Sequence, residues 1–233
     1  MSPYIPLTSA LVALIMALLV LDQFLAHRKS YQLVWGLALL LYFVGAGCEF
    51  IAGKYGVNLE LFRTWYLFGV FYGGGYLGVG MLYLLMPRRI VHAILGVVLA
   101  ASVFAAYMVF SVKLNIHAIH ALSGSFMPSN VRSLTPIFNV FGTVALVGGG
   151  LYSLWVYIKR KTLGRRAVSN CVIAVASILP AIGGIAMKNG ASPNVFYVLE
   201  LMGIVIFSIG FLISRDVFVS FRVPFIHGLR REK

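Results

Sequence analysis

The sequence predicts an all-α membrane protein built as a bundle of seven transmembrane helices, and three observations carry that prediction. Of 233 residues, 61% are hydrophobic and 11% charged, with a mean hydropathy of +0.94, against roughly 45–50% and about 25% in a soluble domain. The apolar residues fall into seven runs, each near the length of about 20 residues that crosses hydrocarbon. The basic residues gather in alternate links between these runs, the pattern that sets membrane orientation.

The first run, 5–26, has no Lys or Arg before it and continues to His27-Arg28-Lys29, so it reads as a retained helix and not a cleaved signal. Further helices are expected over 31–53, 62–86, 89–112, 136–158, 167–187 and 194–214. Fourteen of the nineteen Lys and Arg then share one side. They are Arg28 and Lys29, Arg88 and Arg89, the group from Lys159 to Arg166, and the C-terminal Arg215, Arg222, Arg230, Arg231 and Lys233. Positive-inside logic places the N-terminus outside and the C-terminus in the cytoplasm. The chain divides into a transmembrane domain, 1–214, and a basic cytoplasmic tail, 215–233.

The net charge of +13 is therefore a topology signal, and nucleic-acid binding is not expected. Lipid is the expected partner. Phe218, Phe221 and Phe225 alternate with arginines in the tail, which suits a segment lying on the anionic lipids of the cytoplasmic face, and docking of a cytoplasmic protein is the alternative. The long connection from Lys113 to Thr135, with Ser123-Gly124-Ser125 and Pro128, reads as a partly ordered external loop containing a short helix.

A repeat is detectable at an offset of 134 residues. Ile51, Ala52, Lys54, Gly56, Phe62, Leu67 and Gly69 recur as Ile185, Ala186, Lys188, Gly190, Phe196, Leu201 and Gly203. The matching segments join helices 2 and 3 and helices 6 and 7, which implies three helices, a linking fourth, and three parallel helices again. The alternative is two loops that each end a helix with Lys and Gly independently.

Ionisable residues within lipid are costly enough to be site candidates. Glu200 lies about 9 Å into the last helix at 1.5 Å per residue. Glu49 sits about one turn inside the outer end of helix 2, and Arg63 occupies the first turn of helix 3. Arg63 is expected to bridge to Glu49 or Glu200, with Trp65, Tyr66, Asn139 and Tyr197 completing a ligand-binding pocket at the same depth. The competing reading is that the charges fix helix packing and the aromatics form an interfacial belt. Pro180 is expected to kink helix 6 near this cluster.

Other features point to less. His117 and His120 share a helical face in the external loop but lack a third ligand, and no metal site is expected. His92 stands alone. Cys48 and Cys171 fall near opposite faces and should not pair. The glycine runs 73–75, 148–150 and 183–184 lack the context of a phosphate loop and read as close-packing surfaces. No HExxH, GxSxG, Walker or CxxC motif occurs, the last helix has no lysine for a retinal, and no cofactor is specified.

Tyr31 to Trp35 and on to Glu49, Arg63-Thr-Trp-Tyr-Leu-Phe-Gly69 and Asn139 to Gly148 together resemble uncharacterised bacterial seven-helix membrane proteins. These in turn are similar to the seven-helix sensor region at the N-terminus of some histidine kinases. The resemblance implies a bacterial inner-membrane protein with a sensing bundle, yet no kinase or other output domain follows Arg215. The expected function is a non-enzymatic sensor or accessory subunit acting with a membrane or cytoplasmic protein. The alternative is a small-solute transporter of the three-plus-one-plus-three type, although the Pro-Gln signature of the SWEET transporters is missing.

Overall fold

A computed structural model describes residues 3–115, 119, 121–159 and 165–213. Among them there is no strand, and seven helices are long and apolar enough to cross a membrane. These are α1 (Tyr4–His27), α2 (Ser30–Tyr55), α3 (Leu59–Leu85), α4 (Arg88–Ser111), α5 (Thr135–Lys159), α6 (Arg165–Lys188) and α7 (Pro193–Ile213). The chain is an integral, multi-pass membrane protein. The tail, His117, His120 and the link 160–164 lie outside the described residues, so the expectations placed on them stay as such.

Local chemistry sets the helix ends. Arg28 closes α1 in the left-handed conformation at φ 53°, with its N–H donating to the Phe24 carbonyl at 2.7 Å. Gly56 ends α2 at φ 88° and Gly190 follows α6 at φ 89°, a region where a Cβ is costly. Asn58 caps α3 by accepting from the Leu61 N–H at 2.8 Å. Pro87 precedes α4, where its missing N–H leaves no bond unmade. Pro180 is accommodated inside α6, which runs unbroken to Lys188.

Inside α3, residues Tyr66–Tyr72 form a π-helix, a form seen mostly as single turns at functional sites. Nothing in the apolar periodicity predicts it, because a π-turn changes the hydrogen-bond register without changing the hydrophobic composition.

Packing orders six of the helices as a ring, α1, α2, α3, α5, α6, α7 and back to α1. α4 lies outside it against α3, with Val97, Val103 and Tyr107 turned to the lipid. Ring neighbours approach closely at small residues. A Cβ on Gly45 of α2 would stand 2.7 Å from the Gly69 Cα of α3, and one on Gly78 would stand 2.9 Å from the Gly142 Cα of α5. The described part of the long connection between α4 and α5 includes a turn of 3-10 helix, Gly124–Phe126, and a short helix, Ser129–Arg132. It docks through Leu122, Met127 and Val131 onto the start of α3 and the end of α4.

Candidate functional site

Two polar features lie inside the ring. The first is at the end away from the basic helix links, here called the far end. Trp35, Tyr42 and Glu49 follow one another on α2 at intervals of seven residues, two turns each, so they form one stripe. Glu200, Ile204, Phe207 and Phe211 form the facing stripe of α7. The stripes meet where Trp35 packs edge-on against Phe207 and Phe211, with ring centroids 6.0 and 5.8 Å apart, and where the Tyr42 hydroxyl donates to the Glu200 carbonyl at 3.2 Å.

At the head of this seam the carboxyl groups of Glu49 and Glu200 lie within hydrogen-bonding reach of each other. Both side chains are buried, 3% and 7% exposed. The Trp65 Nε1–H donates to Glu49 Oε1 at 2.9 Å, while Glu49 Oε2 and Glu200 Oε2 have no partner. The Trp65 bond depends on the glycine crossing of α2 and α3, because Gly69 seats against the Trp65 ring on one side and Gly45 on the other. Tyr197, one turn before Glu200, is buried beside both carboxyl groups.

The structure thus gathers four of the seven expected residues, Glu49, Trp65, Tyr197 and Glu200. The other three go elsewhere. Arg63 does not bridge to either carboxylate. Its guanidinium pairs with Glu60 at 3.5 Å, donates to the Val112 carbonyl at 2.9 Å and covers the Phe110 ring. A helical side chain one turn from the interface finds a local carboxylate three residues away more easily than one across the bundle. Tyr66, next to Trp65 and so rotated about 100° around α3, points to the Thr135 hydroxyl at 3.2 Å and packs on Phe62 and Phe71. Asn139 is exposed on the outside of α5 near Gly74. Tyr42 was not expected at the site, although its spacing of seven from Glu49 signals a shared face.

The second feature is a cavity of about 520 Å³ at the basic end. All six ring helices line it, through Gln23, Trp35, Tyr83, Ser153, Asn170 and Phe211 in chain order. Lys29 and Arg88, at the helix ends, flank its mouth. Its wall mixes aromatic and aliphatic side chains with a few uncharged polar groups: the Asn170 Nδ2–H donates to the Ser153 hydroxyl at 2.9 Å, and Gln23 Oε1 accepts at 3.4 Å from the amide of Gln32, which stands behind the wall. Gln32 Oε1, wholly buried, has no partner. Trp35 forms the floor, held by its Nε1–H donating to the Leu77 carbonyl at 3.0 Å and by the flat face that Gly80 presents to its ring. Trp35 and Glu49 are fourteen residues apart on α2, so about 20 Å of packed helix separates this floor from the carboxyl pair.

No protein-family model, curated protein or solved structure matches the chain. Its function therefore rests on these two features.

The cavity's uncharged amides and hydroxyls are visible in the sequence near one end of several apolar runs, among them Gln23, Ser153, Ser169 and Asn170. Only the ring order shows that they converge. Among the described residues no group of three or more His, Cys, Asp and Glu side chains is placed to hold a metal.

Proposed function

We propose that the chain is a small-solute transporter of three-plus-one-plus-three parallel-repeat design, resting with its solute cavity open toward the cytoplasm. The observation that carries this reading is the cavity of about 520 Å³ enclosed by all six ring helices and open at the basic end. A site within a helix bundle, with few polar groups and aromatic walls, is the usual form of a small-molecule pocket.

The repeat supports the same reading. Its first unit is α1–α3, its second α5–α7, and α4, outside the ring, is the link. The ring order is unchanged when α1, α2 and α3 are exchanged with α5, α6 and α7, as an axis along the membrane normal requires. Leu59 and Pro193, the first residues of α3 and α7, differ by the same 134 as the sequence identities. Gly56 and Gly190, related by that offset, share φ values of 88° and 89°. So do the caps, since Ser192 accepts from the Asn194 N–H as Asn58 accepts from Leu61. Gly203 meets Pro180 much as Gly69 meets Gly45, at crossings one residue apart in the repeat's register.

Two rigid units around one cavity are suited to rocking, which exposes the cavity to each side in turn. The reading as a sensor or accessory subunit uses the carboxyl pair but leaves the cavity without a role. Positive-inside orientation puts the cavity mouth in the cytoplasm, and a bacterial inner membrane is the setting that the resemblance implies.

The test is uptake into proteoliposomes across a panel of radiolabelled neutral and anionic small solutes, comparing wild type with Ser153→Trp, which fills the cavity. Time-dependent uptake by wild type that Ser153→Trp abolishes supports the proposal. No uptake above protein-free liposomes for any solute refutes it.

A further inference from the structure

We propose that Glu49 and Glu200 form a binding site for one monovalent positive charge, either a proton bridging the two carboxyl groups or an alkali metal ion held between them. Occupancy of this site sets how the two three-helix units sit against each other. The second statement rests on the transport reading; the first does not.

Two buried acids on neighbouring helices would each carry a charge into a medium where even one is expensive. Among the described residues no compensating cation faces the pair. Arg63 is engaged by Glu60 and the Val112 carbonyl. Lys54, at the end of α2, lies over the Phe50 and Tyr55 rings, and Lys188 is exposed at the end of α6. The described part of α7 contains no Lys, Arg or His, and in α1 and α5 such residues occur only at the basic end. The titratable groups that do face the pair, Tyr42, Cys48 and Tyr197, bring no positive charge.

What the site offers is acceptors. Glu49 Oε2 and Glu200 Oε2 are buried without partners, and the Trp65 indole satisfies the remaining oxygen of Glu49. A bound positive charge would complete both free oxygens at once. A divalent ion is a poor fit, because it wants six or more oxygen ligands or several carboxylates, and no third His, Cys, Asp or Glu joins the group among the described residues.

Position gives the site its consequence. Glu49 belongs to the first unit and Glu200 to the second, so whatever binds between them ties the units together at the far end while the cavity stands open at the basic end. The repeat does not duplicate the pair, since the positions related to Glu49 and Glu200 by 134 residues are Gly183 and Tyr66. One cycle would therefore involve one such site.

The experiment uses the purified full chain in lipid nanodiscs and two measurements. Infrared difference spectra between mildly acidic and alkaline buffer report the carbonyl stretch of a protonated carboxylic acid. Thermal melting in sodium chloride against choline chloride at equal ionic strength reports an alkali ion. The expected result is either a carboxylic-acid band that shifts in each of Glu49→Gln and Glu200→Gln and is lost in the double variant, or a sodium-dependent rise in melting temperature that is lost in each single variant. Glu200→Asp keeps the carboxyl group and should retain the response, which covers the case of a Gln variant that fails to fold. Wild type with neither signal, a band that neither single variant shifts, or a signal that persists in the folded double variant, overturns the site. Neither readout requires flux, so a site without transport and transport without a site give different results.

Discussion

The meeting of α2 and α3 decides whether Trp65 reaches Glu49, and Gly45→Ala tests that dependence. The added Cβ would lie 2.7 Å from the Gly69 Cα and 3.0 Å from its amide nitrogen. Carbon atoms rest at about 3.5–4.0 Å, so the helices must separate by about 1 Å. Both neighbours are backbone atoms and cannot rotate away. Overpacking of this kind costs about 1–3 kcal/mol, and the loss of a helical glycine returns about 0.5–1 kcal/mol. The net effect is destabilisation by about 0.5–2 kcal/mol, the difference of those two terms. The same displacement lengthens the Trp65 to Glu49 bond, now 2.9 Å. Gly47, two residues along α2, has nothing within 4 Å of its Cβ position. Gly47→Ala should therefore be neutral or slightly stabilising. Thermal melting of the purified variants, with Trp fluorescence as the report on Trp65, makes the comparison. Equal melting temperatures for Gly45→Ala and Gly47→Ala would refute the argument that the glycine crossing positions the carboxyl pair.

Trp65→Phe keeps most of the ring but removes the donor to a buried carboxyl oxygen, and should cost about 1–3 kcal/mol in thermal or denaturant unfolding. Tyr66→Phe loses a hydroxyl contact of 3.2 Å to Thr135 and should cost about 0.5–1.5 kcal/mol in the same assay. Gly56→Ala and Gly190→Ala each place a Cβ at positive φ, and should destabilise by about 1–2 kcal/mol, by similar amounts if the two hairpins are equivalent. Trp35→Ala removes the cavity floor and should cost about 3–5 kcal/mol by the loss of a packed Trp, with a lower melting temperature as the readout.

The seven helices were legible because lipid demands long apolar runs, and the expected ends lie within three residues of the described helix limits. Glu49 and Glu200 were legible for the same reason, since a carboxylate in such a run stands out. Their partners were harder to read. Depth along a helix follows from counting residues, and this correctly put Trp65, Tyr197 and the acids on one level. Rotation about the helix axis does not follow from depth, which is why Arg63, Tyr66 and Asn139 share that level but face other ways. The π-helix of α3 adds to the difficulty, because it shifts every facing position beyond Tyr66 without leaving a mark on composition. The cavity was illegible for a third reason. Its walls are aromatic, aliphatic and single polar residues from six helices, each unremarkable alone, and only the ring order brings them together.

The measurement that bears most directly on the transport account is cysteine accessibility in the cavity. Asn170→Cys in a Cys48→Ala, Cys171→Ala background places a thiol on the cavity wall, and Val175→Cys on the lipid-facing side of α6 is the control. A charged, membrane-impermeant thiol reagent should label Asn170→Cys when applied from the basic face, more slowly when a transported solute is present, and should leave Val175→Cys unmodified. Asn170→Cys that resists the reagent from that face, or that reacts at a rate no solute changes, would contradict the account.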